Sequence, residues 1–178
     1  MLNNDQTNLS NNYDKLLTKV FYTREAAEQA YNVLLNHNYQ KDSINILMSN
    51  DTRDKYFLNT ELPETDLSNK ALEGLGAGSA IGGALGGLAA AIAAIGTVLA
   101  VPGLGLVIAG PIAAGLAGAG AGGIAGGLAG ALIGSGIPGD RAKEYEDAIK
   151  AGGVVIGVKP RSESDYTTLE NEWASINR

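Results

Sequence analysis

The chain has 178 residues, no cysteine, one histidine, a net charge of −6 and a pI of about 4.7. The acidic balance excludes the basic footprint of a nucleic-acid binder and gives no polybasic attraction to anionic lipid. The lack of cysteine excludes a disulfide framework and a thiolate site.

Residues 1–13 are polar and Asn-rich with no apolar core, which predicts a disordered tail and not a secretory signal. Leu16 to Tyr22, LLTKVFY, is short, apolar and rich in strand formers. Thr23 then offers an N-cap for a helix in which Ala27, Ala30, Tyr31, Leu34 and Leu35 recur at helical spacing. Arg24, Glu25, Glu28 and Gln29 fall off that stripe and read as its polar side. Ser43 to Ser49, SINILMS, reads as a second strand. Strand, helix, strand at this length predicts a βαβ unit with parallel strands. Residues 50–67 read as a polar connection.

The hydrophobic fraction of 45% is ordinary, but it is unevenly spread. Between Glu73 and Asp140 lie 66 residues without Asp, Glu, Lys, Arg or His, and they hold 22 of the 25 glycines. Beyond this gap, DRAKEYEDAIKAGG predicts an amphipathic helix with Ala142, Tyr145 and Ile149 on one face, stopped at Gly152 and Gly153. Val154 to Val158 reads as a buried strand ended by Pro160. Ser162 and Asp165 stand at capping spacing before a last helix through Leu169 and Trp173. The pattern is βαβ, gap, αβα. It predicts one small discontinuous α/β domain, an α+β sandwich or ferredoxin-like fragment, over residues 14–67 and 138–178, cut by an insertion over residues 68–137. Neither flank alone has the apolar residues for a core, so the two are expected to meet.

The insertion carries two glycine rows. Gly74, Gly78, Gly82 and Gly86 are spaced by four, as are Gly118, Gly122, Gly126, Gly130 and Gly134. On a helix each row is a stripe without side chains. The pairs 74/134, 78/130, 82/126 and 86/122 are symmetric about position 104. Pro102, Gly103 and Gly105 supply a turn there. This predicts a long antiparallel helical hairpin whose glycine stripes meet, as in small-xxx-small packing. Its first arm, 28 residues from Gly74 to Val101, would be about 42 Å long at ~1.5 Å per residue, against a hydrocarbon thickness of about 30 Å. Neither arm offers a polar face to water, so either lipid or other copies of the chain must cover it. A flexible linker is disfavoured by the Leu, Ile and Val throughout, and a hydrated pore by the absence of lining charges.

Chemistry is hard to place. Gly134, Gly136 and Gly139 match G-x-G-x-x-G but lack a preceding strand, and read as a turn. His37 reads as a solvated cap without a partner, and Asp51, Arg53 and Asp54 as a solvated loop. Tyr13, Tyr22, Tyr31, Tyr39 and Tyr56 are better explained as partial core than as a stacking platform. No catalytic, cofactor or metal site is assigned.

Three segments carry a resemblance. TREAAEQAYNVLLNHNYQKDSINILMSN, GTVLAVPGLGLVIAGP and SGIPGDRAKEYEDAIKAGGVVIGV resemble parts of the bacterial general-stress-protein family, of the heat-induced YflT-like or general stress protein 17M-like type. The resemblance spans roughly residues 16–159 and implies a stress-linked, membrane-associated protein with no established chemistry. The expectation is therefore a non-enzymatic, self-assembling protein, with its hairpin in lipid and its α/β domain in the cytoplasm. The alternatives are a water-soluble homo-oligomeric particle with hairpins bundled in a shared core, and a membrane-anchored ligand-binding α/β domain.

Overall fold

The computed structural model describes residues 16–58, 87–94, 105–118, 127–134 and 137–176. They form a mixed α/β fold built on a four-stranded antiparallel sheet. In chain order the elements are β1 (Leu17–Phe21), α1 (Arg24–Asn36), β2 (Asn45–Ser49), α2 (Asn50–Arg53) with a π-helical turn over Asp54–Leu58, and α3 (Gly87–Ala94). Then follow β3 (Leu106–Ala109), α4 (Pro111–Gly118), α5 (Gly127–Gly134), α6 (Gly139–Lys150), β4 (Val154–Val158) and α7 (Glu163–Ser175).

The strand order is β1-β4-β2-β3. β4 pairs antiparallel with β1, Leu17 opposite Val158 and Phe21 opposite Val154, and antiparallel with β2, Ile46 opposite Ile156. Thus β1 and β2 do run parallel to one another, but they are not neighbours. The first βαβ unit is split by β4, and the second, from β3 to β4, is split by β2. Every adjacent pair is antiparallel, which corrects the simple parallel βαβ.

Sequence spacing explains the local structure. Thr23 caps α1 by accepting a hydrogen bond from the Ala26 amide, 3.2 Å. Ser162 caps α7 by accepting from Asp165, 3.1 Å. Along β1 the side chains alternate: Leu17 and Phe21 join one core, Val20 the other. α1, α3 and α7 cover the first face of the sheet, around Phe21, Tyr31, Ile46, Met48 and Trp173. α4, α5 and α6 cover the second, around Leu47, Ile108, Leu132, Tyr145 and Val155. The result is three layers with the sheet in the middle. Residues 50–58, expected as a polar connection, are helical, with Phe57 and Thr52 buried.

The fourth strand comes from inside the charge-free gap. Leu106–Ala109 pairs with β2, Ser49 opposite Leu106 and Ile46 opposite Ala109, where the sequence predicts the region just past the hairpin tip. Gly105 stands at φ +54, and the chain runs from it into a strand. Gly110 ends the strand at φ +86, and its backbone lies against that of Ile44 and Asn45. The described helices of the gap are eight residues each. Most of the first proposed arm, residues 74–86 and 95–101, and residues 119–126 of the return arm lie outside the described residues. So do Gly74, Gly78, Gly82, Gly86, Gly122, Gly126, Pro102 and Gly103.

Candidate functional site

A helix begins with backbone N–H groups that have no partner inside the helix. Ser, Thr, Asn or Asp just ahead of it normally satisfies one of them. In the gap the residues ahead of α3, α4 and α5 are glycines: Gly86, Gly110 and Gly126. Their caps come from elsewhere in the chain.

Glu28 of α1 caps α3. Its Oε2 accepts from the Leu88 amide at 2.9 Å and its Oε1 from the Ala89 amide at 3.3 Å. Glu28 is fully buried, and Arg24 Nε lies 4.0 Å from its carboxylate. The helical wheel placed Glu28 on the solvent side of α1; the docking of α3 over that side buries it. Tyr31 lies beside it, and Asn32 Oδ1 would stand 3.0 Å from a Cβ at Gly87. Burial, and then the nearby Glu28 charge, push the Tyr31 hydroxyl up to about 12. That hydroxyl has no hydrogen-bond partner among the described residues.

Asn45 of β2 caps α4. Its Oδ1 accepts from the Ile112 amide at 2.7 Å, while its Nδ2 donates to the Gly157 carbonyl at 3.3 Å. One buried amide thus joins a central strand pair to the first turn of an apolar helix. Glu146 of α6 caps α5, accepting from the Ala129 amide at 3.1 Å. Lys150 holds the same carboxylate at 2.5 Å. The Lys150 hydrogen bond first, and then that of Ala129, hold the Glu146 carboxyl below its usual range. Three helices from the uncharged segment are therefore held at their N-termini by polar side chains of the flanks, on both faces of the sheet. The helix dipole favours the two carboxylates at these ends.

The inward faces of the gap helices are apolar. Leu88 and Ile92 of α3, Ile112 of α4, and Leu128 and Leu132 of α5 are buried. The outward faces are small. On α5, Gly130 and Gly134 stand two residues beyond Leu128 and Leu132, about 200° around the helix at ~100° per residue. Nothing among the described residues lies within 4 Å of a Cβ built at Gly134, and the neighbouring Ile133 is 51% exposed. On α4, Ala114 is exposed. Gly134 of the second glycine row thus turns away from the sheet.

A second polar cluster ties α7 to the end of α1. Arg161 stacks over the Tyr39 ring at 4.1 Å and donates to the carbonyls of His37 and Asn38, at 3.0 and 2.6 Å. The Tyr39 hydroxyl donates to Asp165, which also accepts from the Arg161 amide at 2.9 Å. Burial, and then the bond to Asp165, push the Tyr39 hydroxyl well above its usual range. His37, expected without a partner, lies with Nε2 2.9 Å from Glu172 Oε1. Each of these groups is engaged in holding elements together. Among the described residues no group of three His, Cys, Asp or Glu side chains is placed to hold a metal ion. Of the G-x-G-x-x-G residues, Gly134 ends α5 and Gly139 begins α6, while Gly136 lies outside the described residues.

The sequence singled out the glycine rows and missed the caps. Glu28, Asn45 and Glu146 bear no local signal, because the helices they serve lie 60, 67 and 17 residues away. No family model, no curated protein and no solved structure matches the chain.

Proposed function

We propose that this chain is a non-enzymatic, self-associating protein that works at a membrane, with a structural or protective role under stress. The supporting observation is Gly134, exposed at the end of α5 with no described atom within 4 Å of its Cβ position, beside the exposed Ile133. A smooth spot flanked by an apolar side chain suits close approach of another helix, in lipid or from a second copy. In this reading the glycine-rich segment leaves the sandwich to form a helical hairpin that inserts in lipid, the glycine rows pack neighbouring protomers, and the flanks stay on the cytoplasmic side. The likeness of three segments to the general-stress-protein family agrees with it.

A second reading, a water-soluble homo-oligomeric particle, is favoured by a different observation. Leu88, Ile92, Ile112, Leu128 and Leu132 are already covered by the sandwich. No helix among the described residues is long and apolar enough to cross a membrane.

Flotation on a lipid gradient, with sedimentation of the lipid-free protein, separates the two. The membrane reading expects the protein to float and to need detergent for release. The particle reading expects a soluble species many times 18.2 kDa. Gly134→Ile adds a side chain into open space, so the fold should survive while assembly is lost in either reading. A wild-type protein that neither floats nor exceeds monomer mass would overturn both.

A further inference from the structure

We propose that Glu28 is an internal latch: its carboxylate holds α3 on the sandwich, and loss of that contact frees α3 locally while the sheet stays folded. The destination of the freed helix, a lipid surface, rests on the membrane reading above.

The argument begins with α3 itself. Its described residues, GLAAAIAA, carry no charge and no side chain that could accept a hydrogen bond from the amides at the helix start. Its dock on the sandwich has two parts. Leu88, Ala91 and Ile92 are buried in the first core. The Glu28 carboxylate accepts from Leu88 and Ala89 at the helix start.

The two parts respond differently when α3 leaves. Leu88 and Ile92 lose a covered site and need another apolar one. Glu28 gains. A carboxylate held away from water is costly unless its hydrogen bonds are good. Here the partners are two backbone amides, with an arginine nitrogen only at 4.0 Å. With α3 gone, Glu28 stands on an open helix face and is hydrated. Hydration offsets part of the lost contact, so the docked and undocked states are closer in free energy than the burial of the leucine and isoleucine alone implies.

The rest of the sandwich does not depend on α3 in the same way. α3 lies over α1 and the π-helical turn, outside the β-ladder. The strands are held by β4, which pairs with both β1 and β2, and α7 is pinned to α1 through Trp173 Nε1 and the Ala30 carbonyl at 3.2 Å. On the opposite face Glu146 repeats the arrangement for α5, but it is partly exposed and shared with Lys150, so it is the weaker hold.

Amide hydrogen exchange on the full-length, lipid-free protein tests the latch. Glu28→Ala should speed exchange at Leu88, Ala89 and Ile92 by about tenfold, the equivalent of one lost cap. Exchange at Val154–Val158 should not change. Glu28→Gln keeps an acceptor oxygen and removes the charge; it should fall between wild type and Glu28→Ala, and it serves if the alanine variant does not fold. Exchange rising equally in α3 and β4 would overturn the proposal, because α3 would then open only with the whole fold. So would unchanged exchange in α3. The same variants are then floated with phosphatidylcholine vesicles. A lipid-bound fraction larger for Glu28→Ala than for wild type supports release toward lipid. Local opening without flotation of any form would support the latch and overturn the membrane reading.

Discussion

Replacing Gly110 with alanine distinguishes the observed strand-turn-helix from a continuous helical arm. In an uninterrupted helix, Gly→Ala is stabilising by up to about 1 kcal/mol. In the structure Gly110 sits at φ +86, between β3 and α4. Holding an alanine in the positive-φ region costs about 1–3 kcal/mol. Its Cβ would also lie 2.3 Å from the Ile44 carbonyl oxygen and 2.9 Å from Asn45 Cα. Those atoms are backbone on the central strand pair and cannot swing aside, so overpacking adds about 1–3 kcal/mol more. The two together give a destabilisation of about 2–6 kcal/mol, a large share of the ~5–15 kcal/mol that holds a domain folded. At ~2–4 °C per kcal/mol for a chain of this size, the melting temperature falls by about 4–24 °C. Thermal unfolding followed by far-UV circular dichroism reads the sign directly. A melting temperature equal to or above wild type would refute the strand-turn-helix at residues 106–118 and favour the helical arm.

Two further perturbations probe the caps. Asn45→Ala leaves the Ile112 amide and the Gly157 carbonyl without their partner in a buried place, and should cost about 2–4 kcal/mol; denaturant unfolding with a midpoint unchanged from wild type would contradict the role given to this amide. Tyr31, pushed up to about 12 by burial and by Glu28, favours the folded state fully below the ordinary tyrosine value of 10.0, and that contribution is lost as pH rises through about 12. Absorbance titration should therefore find late-ionising tyrosines, Tyr31 and Tyr39 among them, with one fewer in Tyr31→Phe, and Glu28→Gln should lower the Tyr31 value. A complete tyrosine titration near 10 in the folded protein would place Tyr31 at the surface.

What the sequence disclosed was local. The Thr23 and Ser162 caps, the Ala142-Tyr145-Ile149 face and the Val154–Val158 strand each rest on residues within a few positions of one another. The direction of β1 and β2 was legible too, but not their separation, because the strand between them arrives more than 100 residues later. β3 was obscured by its surroundings. Leu106–Ala109 is four apolar residues with no alternation, since both faces are covered, and it stands inside a long glycine-rich segment. The signal was the pair of β-branched residues, Val107 and Ile108, bounded by Gly105 and Gly110. The caps were illegible for a simpler reason: Glu28 on a polar helix side looks the same whether water or another helix lies above it.

The position of β4 has a consequence for synthesis. Among the described residues it is the last strand, and it lies in the interior of the sheet, between β1 and β2. On a ribosome, β1 has no strand to pair with until Val154–Val158 has emerged. By then the entire uncharged segment is already outside the tunnel, with α6, which covers one side of it, only just made. Sheets closed by such distant pairings form slowly, and apolar chain left waiting is prone to aggregate. The nascent protein therefore passes through an interval in which its most apolar stretch is held only by the pairing of β3 with β2 and the docking of α3 on α1, and a chaperone or a bilayer surface close to the ribosome would meet the rest of it first.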